Sequence, residues 1–88
     1  MFLTKNNSSK TLKCRFRIND AAWSAYFKLK PGGEFTQRSD RAMDAVYFFC
    51  DPPVKRAAYR LERGERYSIL PGENGALELS HVTAHIGP

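Results

Sequence analysis

The sequence predicts an all-β fold, a small antiparallel β-sandwich or barrel of six to eight short strands, with an α+β fold carrying one helix at 52–63 as the alternative. Three observations point there. A chain of 88 residues suffices for one core between one pair of packed layers, so residues 1–88 are read as a single domain. Apolar and polar side chains alternate along Thr11 to Ile18, the spacing of a strand with one buried face. Turn-forming residues recur at short intervals, at Asn6 to Ser9, Asn19-Asp20, Pro31 to Gly33 and Pro71 to Gly75, as the connections of a sandwich do.

Composition agrees. Hydrophobic residues make up 42% and charged residues 26% of the chain, which places it among globular domains and away from disordered ones. No apolar run approaches the roughly 18 residues of a membrane-spanning helix; the aromatic run Val46 to Cys50 is flanked by Asp44 and Asp51. No apolar h-region follows Met1-Phe2-Leu3-Thr4-Lys5, so an exported protein is expected here in its mature form, and a cytoplasmic one is the alternative.

Phe2 to Thr4 reads as an edge strand ahead of the polar Asn6-Asn7-Ser8-Ser9 turn. Asn6-Asn7-Ser8 and Asn7-Ser8-Ser9 also fit the glycosylation acceptor pattern, which a turn explains equally well. Leu12, Cys14, Phe16 and Ile18 then fall on one face of a strand, with Lys13, Arg15 and Arg17 on the other. After a tight connection at Asn19 to Ala22, Trp23, Ala25, Phe27 and Leu29 repeat the apolar face, while Ser24, Tyr26, Lys28 and Lys30 take the outer one. An antiparallel hairpin from Thr11 to Lys30 is expected.

Pro31-Gly32-Gly33 ends that strand, because proline cannot donate to a ladder and glycine tolerates positive φ. Phe35 to Arg38 reads as a short strand, and Ser39 to Asp44 as a loop or single helical turn capped by Ser39. Ala45 to Cys50 is apolar on both faces, as a covered central strand is. Beyond Asp51-Pro52-Pro53 the residues Val54, Ala57, Ala58 and Leu61 carry helical spacing, with Gly64 as a C-cap. The competing reading is a hairpin of Tyr59-Arg60-Leu61 with Tyr67-Ser68-Ile69 around Gly64, favoured by its β-rich surroundings. Glu65 to Leu70 and Ala76 to Val82 close the sheet across the Pro71 to Gly75 turn, with Leu77, Leu79 and His81 on one face.

Cys14 and Cys50 both sit on apolar strand faces, so they are expected to meet in the core. A disulfide there stabilises by roughly 4 kcal/mol on the chain-entropy account of a loop this long, and it suits a periplasmic or secreted protein. Two reduced cysteines acting as small hydrophobes are the plainer explanation. Asp44-Ala45-Val46-Tyr47-Phe48-Phe49-Cys50, with Trp23 following Cys14, resembles the strand F signature of immunoglobulin domains. The resemblance spans seven residues and implies a sandwich and no more. The position of the family's corner tyrosine holds Phe48, Tyr47 lies on the opposite face, and the Cys14 to Cys50 separation is short for that family.

Charge supplies the candidate site. The net charge of +5 originates in the first thirty residues, where Lys5, Lys10, Lys13, Arg15, Arg17, Lys28 and Lys30 face a single acid, Asp20. Six hairpin residues, Lys13, Arg15, Arg17, Tyr26, Lys28 and Lys30, are expected to share one outer face, cations around an aromatic ring with no acid among them. Such a face attracts phosphate-rich or otherwise anionic polymers, and base stacking on the ring adds affinity that tolerates any sequence. The plainer explanation is a solvated strand whose charges discourage edge pairing.

Catalytic signatures are missing by comparison. His81 and His85 stand four apart on an expected strand with no third ligand nearby, and Pro71 to Gly75 lacks the lysine of a phosphate-binding loop. No enzyme activity, cofactor or metal is expected. The first functional expectation is a non-enzymatic, exported, disulfide-linked β-sandwich binding or accessory module acting on an anionic polymer or another protein. The alternatives are a cytoplasmic nucleic-acid-binding barrel using the basic face, and a small protein inhibitor acting through an exposed loop.

Overall fold

A computed structural model describes residues 1–39, 41–72 and 74–82. Among the described residues, eight strands run in the order β1 (Phe2–Asn6), β2 (Leu12–Ile18), β3 (Phe27–Leu29), β4 (Glu34–Gln37), β5 (Val46–Cys50), β6 (Tyr59–Leu61), β7 (Arg66–Pro71) and β8 (Leu77–Val82). They form two four-stranded sheets, ordered β4-β1-β7-β8 and β3-β2-β5-β6. The all-β expectation holds, in the form of two antiparallel-dominated sheets around a shared core. One pairing departs from it, since β1 runs parallel to β7.

The inner faces follow the alternation of the sequence. Leu12 and Cys14 of β2, Val46, Phe48 and Cys50 of β5, and Phe2 and Thr4 of β1 are all buried. Phe35 of β4 joins the layers: its ring stacks on Phe27 at 5.5 Å and approaches Phe48 at 4.9 Å and Phe16 at 5.1 Å. Aromatic pairs of this kind contribute about 0.5–1.5 kcal/mol each beyond the area they bury.

The segment after Asp51 is not helical. Val54 makes a parallel bridge with Leu77, the Lys55 amide donates to the Leu77 carbonyl, and Tyr59 to Leu61 pair with β5 in the register Val46↔Leu61. Val54 and Leu61 bury themselves from extended backbone, whereas Ala58 of the expected helical stripe is exposed. Nor do β6 and β7 pair as a hairpin. At Gly64, with φ of 79°, the chain passes from one layer to the other, so Leu61 enters the core from one sheet and Tyr67 from the opposite one. The Tyr67 hydroxyl accepts the Glu62 amide across this crossing, at 2.7 Å.

Asn6 fixes the end of the sandwich. It is wholly buried, its Nδ2 donating to the carbonyls of Lys10 and Leu29 at 2.7 and 2.8 Å, and its Oδ1 accepting the Ser8 amide and hydroxyl at 3.0 and 2.6 Å. A buried amide this fully satisfied is a structural clasp. Its use in the turn overrides the first glycosylation pattern in the folded chain.

Candidate functional site: a cation and aromatic sheet face

The β2–β5 ladder sets the site. The Asp51 amide donates to the Lys13 carbonyl at 2.9 Å, and the register continues Cys14↔Cys50, Arg15↔Phe49, Phe16↔Phe48 and Arg17↔Tyr47. Alternation along an antiparallel pair therefore places Cys14 and Cys50 at a site without mutual backbone bonds, where facing side chains come closest. Their Sγ atoms are 2.8 Å apart, and both are free, buried thiols. They meet within one sheet, on neighbouring strands. The hydrogen bond to Cys14, and then burial, push the Cys50 thiol far above the ordinary thiol range.

The same ladder turns Arg15, Arg17, Tyr47 and Phe49 to the outer face. Trp23 joins them through a break in the expected hairpin. β2 and β3 pair as Leu12↔Leu29, Lys13↔Lys28 and Cys14↔Phe27, a register that if continued would set Phe16 opposite Ala25. Instead the Ser24 amide donates to the Phe16 carbonyl at 2.7 Å, and the Phe16 amide donates to the Ser24 Oγ at 3.0 Å. This one-residue slip reverses the faces of the segment before β3. Trp23, expected in the core, lies outside, its ring 6.3 Å from Phe49.

The result is an interleaved array. The Arg15 guanidinium lies 5.0 Å from the Trp23 ring, 5.0 Å from Tyr26 and 5.4 Å from Phe49. Arg17 lies 5.2 Å from Trp23 and 5.4 Å from Tyr47, and the Lys13 Nζ 5.1 Å from Tyr26. Each such contact contributes about 0.5–1 kcal/mol at an exposed site. Among the described residues no carboxylate forms an ion pair with Lys13, Arg15 or Arg17. The Nε atoms of both arginines are enclosed without a hydrogen-bond partner, so their planes are held by rings.

Of the six expected residues, Lys13 and Arg15 both lie against Tyr26, Arg17 joins Arg15 through the shared Trp23 ring, and Lys28 stands directly across from Lys13. Lys30 lies one residue beyond β3, in the turn closed by the Gly33 amide on its carbonyl. Arg60, opposite Tyr47, extends the face and lies 3.9 Å from Glu62, both exposed. The face is not free of acid: Asp51 lies near Tyr26 and Glu62 beside Arg60. Desolvation first, then the hydrogen bond to Asp51, raise the Tyr26 phenol above its ordinary range against the field of Arg15. Tyr47 and Phe49 were concealed in the sequence because a strand apolar on both faces reads as buried on both. The period-two phase set by Val46, Phe48 and Cys50 is the signal that turns them outward.

Two other candidates lie elsewhere. His81, on β8, is 2.8 Å from Glu65, while His85 falls outside the described residues. In the connection leading into β5, Met43 is 92% exposed. Arg63 braces that segment through the carbonyls of Ser39 and Arg41. Asp44 ties it down by accepting hydrogen bonds from Ser39 Oγ and Asn19 Nδ2, which hold its carboxyl below the usual range.

No family model, curated protein or solved structure matches the chain.

Proposed function

We propose that the chain is a non-enzymatic binding module that holds an anionic polymer on the outer face of the β3-β2-β5-β6 sheet. The supporting observation is the pair Arg15 and Arg17, fixed between Trp23, Tyr26, Tyr47 and Phe49 with no carboxylate paired to either among the described residues. A guanidinium held by rings has lost its rotamer freedom before a ligand arrives, which lowers the entropic cost of binding. Its planar donor fork suits sulfate, carboxylate or phosphate groups. Lys13, Lys28 and Arg60 widen the positive field around it.

The polymer differs with compartment. An exported chain with its cysteines bonded would meet envelope polymers, and a cytoplasmic one nucleic acid. The basic reading is tested with heparin, polyphosphate and an oligonucleotide, each titrated into the folded protein at about 50 mM salt and again at about 200 mM. Affinity for at least one is expected to fall steeply with salt, since each neutralised phosphate contributes about 0.7–0.9 to the log–log slope. Failure of all three to bind at the lower salt sinks the proposal.

A further inference from the structure

We infer that the polymer is single-stranded nucleic acid, its phosphates on Lys13, Arg15 and Arg17 and its unpaired bases against Trp23 and Tyr26; this rests on the anionic-polymer reading above. Charge alone asks for nothing more than a row of cations. This face alternates its cations with rings, and Tyr26 is 38% exposed with Trp23 half-buried beside it. Every nucleobase offers a flat π face that stacks on such rings and on guanidinium planes. The C–H face of a sugar ring also packs on aromatic rings, but it has no π system to stack against a guanidinium plane, so cations alternating with rings favour a base over a sulfated or carboxylated glycan.

Geometry selects a single strand over a duplex. Four strands at about 4.8 Å spacing make a face about 14 Å across between its outer strands, broader than the roughly 12 Å major groove. The sheet therefore cannot enter a duplex groove, and its rings reach bases only when those bases are unpaired. Along β2, Lys13 to Arg17 spans about 13 Å at about 3.3 Å per residue, room for a footprint of a few nucleotides.

The chain carries one tryptophan, and it stands in the middle of the face, so Trp23 emission reports binding directly. The probes are an oligo(dT) of about twelve nucleotides, its abasic deoxyribose-phosphate counterpart, the same length of duplex, and heparin. The oligo(dT) is expected to quench Trp23 and to bind about tenfold or more tightly than the abasic strand or the duplex. Trp23→Ala and Tyr26→Ala are each expected to weaken oligo(dT) about tenfold, followed by anisotropy of a labelled strand, and to leave abasic binding within about twofold. Trp23→Phe keeps a ring at the position and is expected to restore most of the affinity, which separates lost stacking from lost folding. Equal binding of oligo(dT), abasic strand and heparin overturns this inference and leaves the anionic-polymer reading standing. Absence of binding by all four overturns both.

Discussion

The outer faces of the two sheets solve the same problem in opposite ways. On the β4-β1-β7-β8 sheet, Lys5 stands directly across from Glu34, and a shallow cleft beside them brings in Arg66 and Ser68 together with Leu3 and Val82, so the charges of that face are paired among apolar neighbours. On the β3-β2-β5-β6 sheet, Lys13 stands directly across from Lys28, and Arg15 and Arg17 face rings instead of acids. Opposite charges facing across a strand pair contribute roughly 0.2–1 kcal/mol and like charges cost a comparable amount. The first face is arranged as folding alone would arrange it. The second sets like charges across from each other and holds its arginines by rings, with two Nε atoms enclosed without partners.

The sheets differ also in what joins their central strands. β1 and β7 rely on a parallel ladder, whereas β2 and β5 carry facing thiols at Cys14 and Cys50. Refolding in a glutathione redox buffer is expected to join the two sulfurs, the two thiol hydrogens and electrons passing to oxidised glutathione. The bond is expected to stabilise the domain by about 4 kcal/mol on the chain-entropy account of a loop this long, read as a raised urea midpoint and an intact mass two hydrogens lower. Native protein exposed to the same buffer is expected to react slowly, because burial and the partner thiol keep Cys50 protonated. Two free thiols after oxidative refolding would show that the pair is only a packing contact.

Charge reversal tests the faces against each other more directly. Arg15→Glu with Arg17→Glu is expected to weaken oligo(dT) by at least about a hundredfold and to lower the log–log salt slope by about 1–2. Lys5→Glu with Arg66→Glu makes the same change in net charge on the other sheet and is expected to act within about threefold, through long-range field alone. Equal losses from both doubles would mean that net charge, not the arranged face, drives binding.

Much of this architecture was legible in the alternation of Leu12, Cys14, Phe16 and Ile18, which commits β2 to one buried and one cationic face whatever surrounds it. Trp23 was not, because its side depends on where the return strand breaks register, a choice made by the Ser24 contacts to Phe16 and by the filled core behind it. Periodicity names the two faces of a strand but not the residue at which a slip exchanges them. The stretch from Val54 to Leu61 shows the converse limit. Its spacing satisfies a helix and a pair of extended contacts alike, and the free edge of β5 decides between them by taking Tyr59 to Leu61 as its neighbour. Similarly, Glu62 to Glu65 looked like a hairpin turn because local sequence does not reveal which layer the next strand joins.

The smallest effect gives the cleanest contrast, because it is a difference of sign. Lys28 and Glu34 both lie on edge strands, β3 and β4, each exposed and each directly across from a lysine. Lys28→Glu replaces a like pair with an opposite one and is expected to stabilise the domain by roughly 0.2–1 kcal/mol; Glu34→Lys does the reverse and is expected to destabilise it by a similar amount. Urea unfolding at low salt measures both, with an unchanged slope as the check that the unfolded state is not what moved. Added salt is expected to shrink both shifts, since the screening length of exposed charges falls from about 10 Å at 0.1 M to about 3 Å at 1 M. Only the first substitution is expected to touch function, weakening oligo(dT) a few-fold while the protein becomes more stable, the mark of a residue kept for binding at the expense of folding. If both substitutions shifted stability in the same direction, the contrast between the two faces would not survive.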